Sequence, residues 1–160
     1  MAEVGIAASI IGIATFGVKL TLTLYTFGTT ASSAREQIDR IARNVALFSN
    51  ILELLGERLN DDKPIHSEAA LDFAEALYED SKRLFERIEE LLPDRRRESE
   101  ELSFIQKIMW NFKKGKVDAL MAELEQLKSS VNLLVQVLYA GVKIRSYKYV
   151  CYTRDVDFAN

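Results

Sequence analysis

Apolar residues recur every three or four positions along most of this chain. That spacing places them on one stripe of an amphipathic helix. Three segments show it, at 33–59, 67–92 and 113–138. Their apolar stripes are, in order, Ile38, Ile41, Val45, Phe48, Leu52, Leu55 and Leu59; Ala70, Ala74, Leu77, Ser81, Leu84, Ile88 and Leu91; and Val117, Leu120, Leu124, Leu127, Val131, Leu134 and Leu138.

Residues at the ends of these segments support the same boundaries. Ser33 and Glu36 have the spacing of a capping box, which predicts a helix start at 33. Ser67 is a favoured N-cap residue, and Pro93 ends the segment that Ser67 opens. The connections between segments are short and polar.

A fourth segment, Val4–Gly28, reads VGIAASIIGIATFGVKLTLTLYTFG and carries one charge, at Lys19. Together the four segments predict an all-α, up-down bundle with helices at about 4–28, 33–59, 67–92 and 113–138. A further short helix is considered near 101–110. For the tail, 139–160, a brief continuation of the last helix, a strand-like arm and disorder all stay open.

The opening segment has four interpretations. A secretory signal fits poorly, because Met1–Glu3 is not basic. The phosphate-loop pattern G-x-x-x-x-G-K-[ST] is not matched, because Val18 stands between Gly17 and Lys19. A membrane span from Val4 to Leu24 is about 32 Å long, enough for the hydrocarbon core, but it includes the lysine. A helix buried in the bundle is the fourth.

Small residues favour two states for this segment. Gly5, Ala8, Ser9 and Gly12 share one helical face, whereas Ile6, Ile10 and Ile13 lie together on another. Glycine inside a helix costs roughly 0.5–1 kcal/mol relative to alanine, so a helix that only filled a core would have less use for it. We therefore consider a helix that docks in one state and inserts in another, beside the alternative of a permanent core helix.

Composition narrows the function. The chain has 160 residues, of which 48% are hydrophobic and 28% charged, as expected of one folded domain. Its net charge of −3 disfavours general nucleic-acid binding. The chain has a single cysteine, Cys151, so no internal disulfide can form. It has a single histidine, His66. We expect no catalytic residue, no metal and no cofactor, and a reducing, cytoplasmic location.

Basic residues cluster between Asp94 and Lys116. They suit an anionic membrane surface, although a solvated loop is the simpler interpretation. Trp110 and Phe112 within this region are interpreted as a plug at the end of the bundle or as an interfacial anchor. The predicted basic surface consists of Arg95, Arg96, Arg97, Lys107, Lys113, Lys114 and Lys116.

Two stretches carry a family resemblance. Met1–Phe27, with its Met-Ala start, small-and-isoleucine helix and Lys19-Leu20 pair, resembles the start of HeLo-like N-terminal domains of fungal STAND proteins. Ile108–Leu138 is similar to the final helix of that family, with an aromatic-and-lysine junction before a leucine-rich helix containing Leu127-Lys128-Ser129. The resemblance spans about residues 1–138, and it consists of residue-type patterns without a catalytic signature.

The resemblance implies a helical signalling domain in self/non-self recognition and cell death. It implies self-association, a nucleotide-binding module of the NLR type elsewhere in a longer chain or a partner protein, and conditional recruitment to the plasma membrane. Residues 139–160 do not match the family pattern. Carried onto this chain, the membrane-insertion helix is Val4–Leu24, with Val4, Gly5, Ile6, Ile10, Gly12, Ile13, Phe16, Lys19 and Leu20 as its candidate residues.

The leading hypothesis is therefore a membrane-targeting effector domain that induces cell death by oligomerisation, membrane targeting of its apolar N-terminal helix and pore formation. The alternative is a soluble oligomerisation or adaptor module without membrane activity. A nucleic-acid adaptor that uses the tail is a distant third.

Overall fold

The apolar stripe of the second segment is the most completely buried surface of the protein. The computed structural model describes residues 2–30, 34–60, 67–92 and 111–156, with side chains at 4–29, 34–60, 67–92 and 111–140. Helix α2 spans Arg35–Leu59, and all seven apolar residues of its predicted stripe are at most 1% exposed. The three-and-four spacing thus identified the core face of this helix correctly.

Three further helices complete the described fold. Helix α1 spans Ala2–Thr30, α3 spans Glu68–Glu89 and α4 spans Lys114–Val156, and the described ranges contain no strand. Helix α1 packs on α2 and α3, and α4 packs on the same two helices. Aliphatic and aromatic side chains from all four helices form one continuous core. The prediction of an all-α bundle is confirmed.

Contacts along the helices show their directions. In α1, Gly28 lies against Ile38 of α2, and Ile11 lies against Gly56, so these two helices are antiparallel. Arg40 of α2 pairs with Asp118, near the start of α4.

At the other end of the same pair, Arg58 of α2 stacks on Tyr139, so α2 and α4 are parallel. Arg87, late in α3, meets Glu123, early in α4, whereas Phe73 shares a groove with Val137. Helix α3 is therefore antiparallel to α4, and successive helices alternate in direction along the chain.

Two predicted helix starts had different outcomes. The Ser67 side chain accepts a hydrogen bond from the Ala70 N–H at 3.2 Å, so the predicted N-cap of α3 is confirmed. The predicted capping residue of α2, Ser33, lies outside the described residues. The helix as described begins at Arg35, and Ala34 at its N-cap position makes no side-chain capping bond.

The last helix is much longer than the stripe predicted. The stripe ends at Leu138, which is indeed the last described buried residue, but α4 continues for a further 18 residues to Val156. Its 43 residues span about 64 Å. The predicted end at 138 is wrong because burial and helix length are separate properties. Residues 139–156 contain no proline, and their one glycine, Gly141, is tolerated inside a helix. The proposed helix near 101–110 lies outside the described residues.

Candidate membrane-targeting surface

Helix α1 divides its predicted insertion residues between the core and solvent. Ile10, Ile13 and Leu20 are buried, with Ile10 completely inaccessible. Ile6 and Phe16 are half-buried and pack against the core. The remaining four predicted residues are exposed: Val4, Gly5, Gly12 and Lys19. The set is therefore not one surface, because one half holds α1 in the bundle and the other half faces outward.

The outward half of α1 carries large apolar side chains, of which the sequence analysis selected Val4 but not Val18, Leu22 or Tyr25. Val4 is 61% exposed, Val18 45%, Leu22 63% and Tyr25 40%. The spacing of residues 4, 11, 18 and 25 is one heptad, and Leu22 lies on the neighbouring row, so these residues form a line along the helix. Ile11, on the same line, is half-buried against Gly56 of α2 and interrupts the exposed surface. We call Val4, Val18, Leu22 and Tyr25 the outer stripe. The heptad repeat was the available signal for it.

The length and composition of α1 are those of a membrane span. The 26-residue segment Val4–Thr29 is long and apolar enough to cross a membrane. Of its most apolar 18-residue window, 39% is buried inside the protein. A core helix of a soluble protein and an N-terminal signal sequence can have the same length and composition. The buried share of this window is close to that of α2, in which ten of 25 residues are buried. At about 39 Å, the segment exceeds the ~30 Å thickness of a bilayer core.

The hydroxyl groups of α1 are satisfied within the helix itself. Ser9, Thr15, Thr21 and Thr23 each donate to the backbone carbonyl four residues earlier, at 2.9–3.0 Å. In hydrocarbon, every polar hydrogen needs an internal partner. These four hydroxyls have acceptors within α1 itself.

Two groups of glycines in α1 have different environments. A Cβ built on Gly17 would overlap the Ser49 hydroxyl and lie 2.6 Å from the Phe85 ring, so close packing of α1 on α2 and α3 requires this glycine. A Cβ on Gly5 or Gly12 would meet nothing within 4 Å. The expectation that a core helix has little use for glycine is therefore wrong at Gly17, whereas the other two have no described packing role.

The predicted basic surface is described only in part. Lys113, Lys114 and Lys116 are exposed where α4 begins. The Arg40–Asp118 pair places this region level with the start of α2, and hence with the C-terminal end of α1. The lysines thus lie at the opposite end of the bundle from Val4. The remaining predicted members, Arg95, Arg96, Arg97 and Lys107, lie outside the described residues.

Of the two aromatic residues singled out in the sequence, Trp110 and Phe112, the structure describes Phe112. Phe112 is 2% exposed, so it is a core residue, and the interpretation of Phe112 as an interfacial anchor is wrong. Beside it, the Asn111 side-chain amide donates to the Leu91 carbonyl at 2.8 Å and ties this end of the bundle to the region just after α3. Trp110 lies outside the described residues.

A second apolar surface lies between α3 and α4. A groove of about 300 Å³ is lined there by uncharged residues, with Phe73, Leu133 and Val137 at its exposed rim. Within the described ranges, no three histidine, cysteine, aspartate or glutamate side chains come together as a metal site.

No family model, no curated protein and no solved structure matches this chain.

Proposed function

We propose that this protein is a membrane-targeting helical effector domain whose active element is α1. The observation that carries the proposal is the outer stripe. A helix long enough to cross a bilayer exposes a line of large apolar side chains while its buried side is apolar as well. Such a helix loses little hydrophobic stabilisation when it exchanges the protein core for lipid, because both surroundings are apolar.

Charge on α1 is compatible with this role. Lys19 is the one charged residue between Val4 and Thr29. On insertion scales a lysine at the bilayer centre costs about 2.5–3.5 kcal/mol. Lys19 lies ten residues from Thr29, about 15 Å, so its long side chain can reach toward the nearer interface and lower that cost.

The resemblance to HeLo-like domains supports a wider setting for the proposal. In that setting the protein oligomerises, acts in fungal immunity or incompatibility as the signalling domain of a STAND-type system, and moves from the cytoplasm to the plasma membrane when activated. An NLR-type nucleotide-binding module supplies the trigger. No catalytic step and no cofactor enter the mechanism.

A matched pair of surface substitutions tests the proposal. Leu22 in α1 and Leu54 in α2 are 63% and 61% exposed, so neither belongs to the buried core and the two form a matched pair. Dye release from anionic vesicles is measured for the parent chain, Leu22→Glu and Leu54→Glu, with thermal melts of all three. We expect the α1 variant to lose release and the α2 variant to keep it. Equal release by all three folded proteins would refute membrane entry by α1.

A soluble oligomerisation or adaptor module is the second candidate. The tight fit of Gly17 against α2 and α3, and the complete burial of Ile10 and Leu24, favour a permanently docked α1. This candidate predicts oligomers in lipid-free buffer, measured by light scattering, and a folded chain that ignores anionic vesicles.

A further inference from the structure

A second apolar line runs along α4, beside its core face. Leu133 and Val137 are 57% and 54% exposed, and they stand with Phe73 at the rim of the groove between α3 and α4. From Leu133 onward, hydrophobic residues recur at alternating steps of four and three, which is the spacing of a coiled-coil seam. We call this set the α4 seam: Leu133, Val137, Ala140, Ile144, Tyr147 and Cys151.

The second half of the seam lies past the ends of the helices on which α4 packs. Helix α2 ends one residue after Arg58, which stacks on Tyr139. Helix α3 has its N-cap, Ser67, in the groove that Val137 lines, yet α4 continues to Val156. Most helical stability in proteins comes from packing an amphipathic face. We therefore expect residues 139–156, the α4 extension, to pack against a partner outside their own bundle.

The charge of the α4 extension is opposite to the charge beside the groove. The extension has four bases, at 143, 145, 148 and 154, and one acid, at 155. Helix α3 has no base between Glu68 and Asp80, and its acids there are all exposed. One of them, Asp80, pairs with Arg83 of the same helix. A basic helix lying in this groove would gain complementary charge along its length. The acids are Glu68, Asp72, Glu75, Glu79 and Asp80.

From the seam and these charges we propose that two copies of this chain pair through α4 in antiparallel orientation. The spacing of the seam is symmetric about residue 142, so a two-fold axis at that residue brings each seam residue opposite another one. The layers formed between the two copies are Leu133 with Cys151, Val137 with Tyr147, and Ala140 with Ile144.

The same axis lays the α4 extension of each copy over the α3–α4 groove of the other. Tyr147 of one copy is opposite Val137 of the second copy, and Val137 shares its groove with Phe73. The next residue after Tyr147 is Lys148, which is therefore level with the exposed Asp72 that precedes Phe73. The apolar seam and the charge pairs thus require the same alignment of the two helices.

This dimer goes beyond the self-association that the proposed function includes. It is closed at two copies and forms without a membrane, because a two-fold interface uses the same surface of both chains. Its surface consists of α3 and α4, whereas the proposed membrane element is α1. The pairing and the proposed function can therefore fail separately.

Disulfide formation tests the predicted layers. In the protein with Leu133→Cys, the new cysteine and the native Cys151 are 18 residues apart on one helix, about 27 Å, so they cannot bridge within a chain. In the antiparallel pair they lie opposite each other, and mild oxidation should give a covalent dimer on a non-reducing gel.

Three control proteins accompany the disulfide test. They are the parent chain, Leu133→Cys with Cys151→Ser, and Leu54→Cys with Cys151 retained. Leu54 is 61% exposed, close to the 57% of Leu133, so its thiol would be equally accessible. In the two single-cysteine proteins the thiols of the paired copies are 18 residues apart. We expect all three to cross-link at least about tenfold more slowly than Leu133→Cys.

A charge exchange tests the fit over α3. Lys148→Glu sets a like charge beside Asp72 of the second copy and should raise the dissociation constant of the dimer at least about tenfold. Adding Asp72→Lys should restore pairing, because opposite charges meet again. Lys114→Glu makes the same change at the exposed start of α4 and should leave pairing unchanged. Sedimentation velocity in lipid-free, reducing buffer measures these proteins beside the parent chain, for which we expect about 36 kDa, twice the 18.2 kDa of one chain.

Each outcome supports or overturns the pairing. A parent chain that sediments as a monomer would overturn it, and so would a dimer in which positions 133 and 151 cross-link no faster than the controls. Rapid cross-linking through Cys151 alone would indicate a parallel pair and would also overturn it. Dye release from vesicles, measured on the same proteins, separates the two proposals. Release by a monomer would keep the proposed function without the pairing, whereas a cross-linked dimer without release in either redox state would support the pairing and contradict membrane entry by α1.

Discussion

The packing of α1 predicts that two glycines in the same helix respond to alanine in opposite directions. Alanine is favoured over glycine in a helix interior by about 0.8–1.0 kcal/mol. At Gly12 nothing lies within 4 Å of the new methyl group, so Gly12→Ala should stabilise the protein by roughly that amount. At Gly17 the methyl group would overlap Ser49 and approach two Phe85 ring atoms, at 2.6 and 2.8 Å.

The cost at Gly17 follows from how little its neighbours can yield. Phe85 is completely buried, and its ring packs edge-on against Phe48 with 5.8 Å between centroids. Overpacking a rigid site costs about 1–3 kcal/mol, and a fixed ring suggests the upper end of that range. After subtracting the gain in helix propensity, we expect Gly17→Ala to destabilise the protein by about 2 kcal/mol, or roughly 4–8 °C in Tm.

Urea denaturation followed by circular dichroism at 222 nm measures both variants in lipid-free buffer. The predicted difference in the free energy of unfolding is about 3 kcal/mol, the sum of a gain at Gly12 and a loss at Gly17. Adding Ser49→Ala to Gly17→Ala should recover part of the loss, because it removes the overlapping hydroxyl. If both glycine variants were stabilised equally, α1 would not approach α2 and α3 as closely as described.

Three further substitutions test other parts of the account. Ser67→Ala removes the N-cap bond to Ala70 and should lower the free energy of unfolding by about 1 kcal/mol in urea melts, whereas Ser67→Asp should preserve it. Lys128→Ala removes a mostly buried side chain and its bond to Asn44, and should cost more than Lys128→Met, which keeps the apolar stem. Arg87→Gln breaks a pair whose side chains are 53% and 38% exposed, so its effect should stay below about 1 kcal/mol and shrink in 1 M salt.

Periodicity predicted the core of this fold because burial itself imposes the pattern. The stripes of α2 and the first half of α4 are buried residue for residue from Ile38 to Leu59 and from Val117 to Leu138. Helix ends were less predictable. Ser67 forms the expected cap, but Ala34 occupies the N-cap position of α2, and α4 runs to Val156, well past the stripe that marks its core face.

The surface of α1 was the least predictable part, because an apolar helix offers no polar face to orient it. Composition alone could not say that Ile10 lies inside while Val18 and Leu22 lie outside. Nor could it say that Gly17 serves packing while Gly12 does not, since that difference depends on Ser49 and Phe85, which are distant in sequence. The opposite placement of Val4 and the lysines of α4 likewise follows from helix directions and not from spacing.

The measurement that tests the central claim most directly is the environment of position 22 on a vesicle. An environment-sensitive fluorophore is attached to Leu22→Cys, and in a second protein to Leu54→Cys, each with Cys151→Ser and each starting from a similarly exposed site. On anionic vesicles we expect the label on α1 to shift its emission to the blue and to be quenched by spin-labelled acyl chains, whereas the label on α2 keeps its aqueous emission. Aqueous emission from both labels on vesicle-bound protein would contradict the insertion of α1.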